Sequence, residues 1–247
     1  MNKKQIIIFI VAILILGAFV AIGFKKSEQV PILPSEERTQ VDNPAIEVGS
    51  VSITDKNQYY EISARYPEVK SESITAYFKS YVEDQITQFK EDTKWVEEQG
   101  GSPNGASVTL DIDYKNIPSQ KVQNYVFQSY SYTGGAHGMA VRKTYNFNNQ
   151  GQLLTLSNIF KNGLDGLGAF AKLVQAELLK RENAQADWIA DGAGAKQENY
   201  QAFVVNDNGV TVLFDQYQVA PYSDGQIDIT ISFDAFKGIV NPDLLNQ

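Results

Sequence analysis

The order of helical and alternating segments is the feature that most limits the fold of this chain. Two segments place apolar residues three and four positions apart, as an amphipathic helix does. Between them lie short segments that alternate apolar and polar residues or are rich in β-branched residues, as strands with one buried face are. These segments are 45–54, 58–67, 107–117, 121–133, 139–147, 153–156, 201–215 and 225–233. The order predicts an α+β fold of two packed halves, each an antiparallel sheet with one covering helix.

The two helices have recognisable ends in the sequence. The first is predicted over 73–99, with Ser73 as its N-cap and Gly100 as a left-handed stop. The second is predicted over 165–182, with Asp165 as its cap. Each helix carries a single apolar stripe, so each is expected to cover one face of a sheet.

The last third of the chain is predicted to be mostly strand. Residues 183–199 are small and polar and predict a loop with at most one helical turn, near Trp188. After this loop, Asn208–Gly209 lies between two apolar segments. That dipeptide fits the primed two-residue turn of a β-hairpin.

The N-terminus carries a long apolar segment. Residues 6–24 are 19 consecutive uncharged positions, and a helix of that length is about 28 Å long, close to a hydrocarbon core of about 30 Å. Two lysines directly after the segment disfavour signal cleavage, so residues 1–26 are predicted to be a transmembrane anchor. Residues 27–47 contain three prolines and many charges and predict a tether. We expect a single-pass cell-membrane protein with residues 27–247 outside the cytoplasm, or a secreted protein if the leader is cleaved.

Composition excludes several classes of function. The chain has no cysteine and one histidine, which excludes disulfides, thiolate chemistry and metal sites that need two histidines. Four of the 21 basic residues lie in 1–26, which has no acid, so the remainder carries 17 basic and 29 acidic side chains, a formal charge of −12. This charge disfavours nucleic acid and favours cationic partners. We expect no cofactor and no metal site.

The single histidine lies in a bend of very small residues, YTGGAHG at 132–138. His137 has three interpretations: a structural imidazole, a contact to a ligand or partner, or a catalytic base. The glycines favour positive φ or close approach of the backbone. Nearby tyrosines and the APYS segment at 220–223 complete a candidate binding surface. It consists of Tyr130, Tyr132, Thr133, Gly134, Gly135, Ala136, His137, Pro221 and Tyr222.

Two pairs of carboxylates are spaced so that they could act together. Asp111 and Asp113 share one face of a strand, and Asp187 and Asp191 are one helical turn apart. Such pairs can perform acid–base chemistry on a glycan or bind calcium. Pairs at these spacings more often belong to a solvated face, which we favour here.

The combination of YTGGAHG with FDQYQVAPYSDG at 214–225 resembles the extracytoplasmic region of RsiV-type anti-sigma factors. The first half, predicted as 48–150, is similar to the domain that precedes the catalytic module of PdaC-type peptidoglycan deacetylases. The second half, 151–247, is RsiV-like. The resemblance implies two intimately packed α+β halves outside the membrane and, for RsiV-type domains, binding of lysozyme. Only five residues precede the apolar segment, so we expect no cytoplasmic anti-sigma segment.

Three functions follow as hypotheses. The first is a membrane-anchored binding or sensing domain without catalytic residues, which recognises a cell-wall glycan or an extracellular protein such as a lysozyme. The second is an envelope polysaccharide hydrolase that uses His137 or a carboxylate as acid and base. The third is a structural or inhibitory component of an envelope complex.

Overall fold

The computed structural model describes residues 43–102 and 105–245. The strands are β1 Glu47–Lys56, β2 Tyr60–Val69, β3 Val108–Pro118, β4 Val122–Tyr132, β5 Met139–Asn148, β6 Leu153–Leu154, β7 Phe203–Val205, β8 Gly209–Phe214 and β9 Ile227–Ser232. The α-helices are α1 Glu72–Glu98, α2 Leu156–Ile159, α3 Leu167–Leu178, α4 Ala186–Gly192, α5 Phe233–Phe236 and α6 Pro242–Leu245. The helices are segregated among runs of strands, as expected, and the α+β class is confirmed.

The predicted anchor lies outside the described residues, as does most of the tether. Within 43–102 and 105–245, no helix is both long and apolar enough to cross a membrane. The anchor over 6–24 therefore stays a prediction.

The larger sheet has six strands in the order β1-β2-β3-β4-β5-β6. Four of its pairings are antiparallel, but β2 and β3 run parallel, with Ile62 opposite Leu110. The prediction of a purely antiparallel sheet is therefore wrong. Parallel neighbours need a long crossover connection, and α1 is that connection. A helix between two strands fits either arrangement, so the sequence pattern alone did not distinguish them.

Helix α1 covers one face of the larger sheet. Phe78 is fully buried, and its ring lies 4.9 Å from the ring of Tyr125 and 5.5 Å from that of Phe127. Truncating a buried phenylalanine to alanine costs about 3–5 kcal/mol, so this contact fixes the helix on the sheet. The helix is capped by Ser71, whose side chain accepts from the Ile74 amide, and not by Ser73 as predicted.

The smaller sheet has three antiparallel strands in the order β7-β8-β9. Helix α3 packs on it through residues that include Phe170, which is fully buried. The predicted cap is wrong: Gly166 occupies the N-cap of α3, and Asp165 lies in a short 3₁₀ helix before it. Helix α4 lies where a loop with at most one turn was predicted.

The hairpin between β7 and β8 is confirmed, but its turn is displaced by one residue. The Asn206 amide donates to the Gly209 carbonyl, so Asp207 and Asn208 form the tip and Gly209 already belongs to β8. A Cβ at Gly209 would lie 2.3 Å from the Ile231 carbonyl oxygen. This glycine is needed for close approach of two strands, not for a primed turn.

Side-chain amides join the smaller sheet to the larger one. Asn124 of β4 is fully buried, donates to the Val205 carbonyl and accepts from the Val205 amide. Asn146 of β5 donates to the Phe203 carbonyl in the same way. These bonds satisfy the free edge of β7, so β4 and β5 are covered by α1 on one face and by the smaller sheet on the other.

Candidate binding surface at the glycine bend

The bend between β4 and β5 depends on two of its glycines. Gly134 has φ +89°, where side chains are rarely tolerated, and the Trp95 ring of α1 packs against it. A Cβ at Gly138 would lie 2.4 Å from the ring of Tyr130. The Tyr132 hydroxyl donates to the Gly135 carbonyl across the bend at 3.1 Å. The small residues therefore allow aromatic rings to pack directly on the backbone.

His137 is exposed at the tip of this bend and contacts the segment after β8. Its ring stacks on the ring of Tyr222 with 4.0 Å between centroids and 28° between planes. Nδ1 lies 3.0 Å from the Gly138 carbonyl oxygen, and Nε2 lies 3.4 Å from the Tyr217 hydroxyl. A carbonyl only accepts, so Nδ1 carries hydrogen in this contact, and in the neutral ring Nε2 accepts from Tyr217.

Two further aromatic residues extend this stack. The Tyr217 ring lies 5.5 Å from that of Tyr222 and 6.4 Å from that of Trp188 in α4, at 37° and 24°. Tyr217 has φ +66° and is 37% exposed. A bulky residue in this backbone region is uncommon, and such strain is concentrated at functional sites. We call His137, Trp188, Tyr217 and Tyr222 the aromatic cluster.

A buried ion pair holds the segment that carries Tyr217 against β5. The Arg142 side chain is 8% exposed, and its Nε lies 3.2 Å from Oδ1 of Asp215, while its backbone amide donates to Oδ2. Arg142 also contacts Asp228, and Gln226 donates to Asp215. Burial raises the pKa of the Asp215 carboxyl, and the bonds from Arg142 oppose that rise. The network positions the aromatic cluster.

The structure brings most of the predicted surface together at this bend. His137 and Tyr222 are in contact, Pro221 precedes the short 3₁₀ helix that carries Tyr222, and Tyr130 packs on the bend at Gly138. Tyr132, Thr133, Gly134, Gly135 and Ala136 form the bend itself. Their role in binding stays a prediction.

Sequence reasoning missed two members of the aromatic cluster. Tyr217 lies inside the FDQYQVAPYSDG segment that carried the resemblance, but nothing in the letters shows its positive φ. Trp188 is a lone aromatic residue in a small, polar segment, and that isolation was a signal that could have been used.

The acid–base alternatives find little geometric support in the described part of the chain. No carboxylate is among the hydrogen-bond partners of His137 there. Asp113 pairs with Arg65 and Asp191 with Lys196. No group of three His, Cys, Asp or Glu that could hold a metal ion occurs within 43–102 and 105–245.

Two known families each match part of the chain. Residues 53–140 match the family described as deacetylase PdaC, and residues 157–234 match the family described as protein of unknown function DUF3298. The chain therefore combines a PdaC-like region with a DUF3298-like region, and the bend lies at the end of the PdaC-like region.

Two individual relatives are similar to the chain. The chain is 27% identical over 251 residues to the peptidoglycan-N-acetylmuramic acid deacetylase PdaC of Bacillus subtilis, a match that covers 100% of this chain and 53% of the relative. It is 26% identical over 140 residues to the immunogenic protein MPT64 of Mycobacterium tuberculosis, covering 56% of this chain and 61% of the relative. The chain thus spans little more than half the length of these relatives. The expected anti-sigma relationship stays a prediction.

Two solved structures share the fold. A DUF3298-family protein of Bacteroides fragilis superposes with a TM-score of 0.60 at 17% identity, covering 82% of this chain and 97% of that one. A DUF3298-family protein of Pseudomonas aeruginosa has a TM-score of 0.52 at 18% identity, covering 83% and 99%. At these identities the similarity shows the fold alone.

Proposed function

We propose that this chain is an extracytoplasmic domain of the cell envelope that binds a cell-wall glycan through the aromatic cluster. The single observation behind this proposal is the aromatic cluster at the bend, in which two stacked ring pairs meet through a tilted contact and one residue is held at positive φ. Sugar rings have C–H faces that pack on aromatic faces and hydroxyls that hydrogen-bond at the rim. Tyrosine and tryptophan provide both kinds of contact at little cost in side-chain entropy.

The relatives support the choice of a cell-wall ligand. The Bacillus relative is named for peptidoglycan, and the match covers 100% of this chain and 53% of the relative. The predicted anchor over 6–24 would hold the domain beside that polymer. His137 is hydrogen-bonded to the Tyr217 hydroxyl and to the Gly138 carbonyl. Binding without turnover is therefore the simplest role for this surface.

The test is sedimentation of the full chain, in detergent, with purified insoluble peptidoglycan. We expect His137→Ala and Tyr222→Ala each to weaken binding about tenfold or more, a loss of roughly 1.4 kcal/mol, because each removes one ring of a stacked pair. Tyr77→Ala is the matched control, since Tyr77 is a half-buried tyrosine of α1, on the other face of the larger sheet. Unchanged binding in both cluster variants would show that this surface is not the site.

The name of the Bacillus relative also makes deacetylation a candidate for this chain. The same preparation, incubated with N-acetylated peptidoglycan, distinguishes the two roles by acetate release. Our proposal expects binding with no acetate above the level of a His137→Ala preparation. Release that depends on His137 would replace binding with catalysis as the function.

The acidic balance of the chain favours a second ligand, a basic protein such as a lysozyme. The formal charge is −8 for the whole sequence, and opposite charge accelerates encounter more than it determines affinity. Binding of such a protein would weaken strongly as ionic strength rises, whereas stacking on a glycan would change little. Measuring both ligands at low and high salt separates them.

A further inference from the structure

We propose that the glycan-binding surface continues from the aromatic cluster across the exposed face of the larger sheet, where Tyr130 and Asp111 form a second sugar subsite. This inference rests on the proposed function. It adds that the ligand is a chain of several sugars and not a mono- or disaccharide.

The face of β1–β3 opposite α1 is open and polar. Many of its exposed side chains carry hydroxyl, carboxylate or guanidinium groups, among them Ser52, Thr54, Ser63, Arg65, Asp111 and Asp113. The register places Thr54, Ser63, Asp111 and Tyr130 in one row across four strands. With about 4.8 Å between strands, this row is roughly 14 Å long.

Asp111 is the available carboxylate in this row. Its charged neighbours are already paired: Lys56 lies 2.7 Å from Glu61, and Arg65 lies 3.5 Å from Asp113. Asp111 itself is exposed and, within the described residues, has neither an ion-pair partner nor a side-chain hydrogen bond. An ionised carboxylate accepts up to about four hydrogen bonds, so Asp111 can accept from neighbouring sugar hydroxyls.

Tyr130 provides the aromatic surface of this subsite. It stands opposite Asp111 in the register and is 42% exposed. Its ring rests on Gly138, where any Cβ would lie 2.4 Å from the ring. The Gly138 carbonyl also accepts from the Tyr222 hydroxyl at 3.2 Å. Gly138 therefore contacts both Tyr130 of the second subsite and Tyr222 of the aromatic cluster, which places the two subsites side by side.

The chemistry of this face fits a glycan better than a protein. The core of a protein interface is depleted in charged groups and rich in large apolar ones, whereas this row is made of two hydroxyls, a carboxylate and one aromatic ring. The two ion pairs beside it cancel their own charges, which leaves Asp111 as the one uncompensated charge among the residues of this row. A glycan chain has many hydroxyl donors, which can hydrogen-bond to the hydroxyl and carboxylate oxygens of this row.

The test is calorimetric titration of the full chain, in detergent, with N-acetylglucosamine oligomers, comparing a disaccharide with a hexasaccharide. We expect the hexasaccharide to bind about tenfold tighter, equivalent to about 1.4 kcal/mol. Asp111→Asn should lower hexasaccharide affinity to that of the disaccharide and leave disaccharide affinity unchanged. Tyr130→Ala should also lower hexasaccharide affinity. Glu91→Gln makes the same carboxylate-to-amide change on an exposed position of α1 and should change neither.

The outcomes separate this inference from the function on which it rests. Equal affinity for both lengths, with both abolished by Tyr222→Ala, overturns the second subsite and leaves the aromatic cluster as the site. No binding of either oligomer or of peptidoglycan overturns the proposed function itself. Asp111 is exposed and, within the described residues, has no ion pair and no side-chain hydrogen bond, so we expect its variant to retain the fold. An unchanged hexasaccharide affinity in that variant alone rejects the inference.

Discussion

Tyr217 combines a costly backbone conformation with an exposed ring. Its φ of +66° lies in the left-handed region, which costs about 1–2 kcal/mol for a residue with a Cβ. Its ring is stacked near Trp188 and Tyr222 and does not fill a core. Because packing of the Tyr217 ring compensates little of the backbone strain, we propose that the conformation is retained for ligand contact, and that the ligand is the glycan.

This assignment predicts an inverted order of stability at position 217. At an ordinary φ, alanine is more stable than glycine; at +66° we expect Tyr217→Gly to be more stable than Tyr217→Ala by about 1 kcal/mol. Both variants lack the ring, and both should lose peptidoglycan binding equally. Urea unfolding of the two variants gives the stability difference. If the alanine variant is the more stable one, the backbone at 217 is not strained.

At the scale of elements, the hairpin β7–β8 shows how one glycine fixes strand pairing. Gly209→Ala would place a Cβ 2.3 Å from the Ile231 carbonyl oxygen and 2.9 Å from the Ser232 Cα, both backbone atoms of β9. We expect the free energy of unfolding to fall by about 1–3 kcal/mol, because β9 must move to make room for the Cβ. The urea midpoint should fall with an unchanged denaturant slope.

The matched control for this variant is Gly168→Ala in α3. A Cβ there meets nothing within 4 Å, and alanine in a helix is favoured over glycine by about 0.5–1 kcal/mol. We expect this variant to be at least as stable as the parent chain. A loss of stability in both variants would indicate that the protein tolerates glycine substitution poorly in general. The effect at Gly209 would then not be due to its contact with β9.

What the sequence predicted correctly at this scale was local. Local spacing within one segment predicts helix α1, whose apolar stripe ends before Gly100. It also predicts the alternation of Ile227, Ile229 and Ile231 in β9. The parallel pairing of β2 with β3 depends on residues about 50 positions apart, and no local pattern encodes it.

The candidate site divides in the same way. The glycines and tyrosines of the bend can be recognised in the sequence. The contacts of Tyr217 with His137 and with Trp188 instead result from the packing of α4 and the smaller sheet beside the bend. Cap positions were off by one or two residues because several neighbouring residues can serve, as Ser71 and Ser73 show.

For the whole molecule, buried tyrosines connect stability to alkaline pH. Tyr125 in the larger core and Tyr200 in the smaller one are fully buried and donate to the carbonyls of Ala45 and Ala193, both at 2.7 Å. Burial raises the pKa of both hydroxyls, and that of Tyr145, well above the ordinary value of about 10. The folded protein therefore keeps phenolic protons that the unfolded chain releases.

We predict that stability is fully present below pH about 10 and is lost steeply above it, because unfolding then releases protons. Each tyrosine that stays protonated only in the folded state lowers the free energy of unfolding by about 1.4 kcal/mol per pH unit. Urea unfolding at several alkaline pH values measures this slope. Tyr200→Phe should reduce the slope by one such contribution. At neutral pH it should cost only about 1 kcal/mol, because Gln175 still donates to the Ala193 carbonyl.

The same titration tests whether the two cores unfold together. The side chains of Asn124, Asn146 and Arg142 donate to backbone carbonyls of the smaller sheet, and the described residues belong to one compact unit. Ellipticity and tyrosinate absorbance should therefore change in a single transition, as in a two-state domain. Two separate transitions, with the effect of Tyr200→Phe confined to one of them, would show that each sheet keeps its own core when the other sheet has unfolded. The bend is held in place by both sheets, so it would then lose its structure when the less stable sheet unfolds.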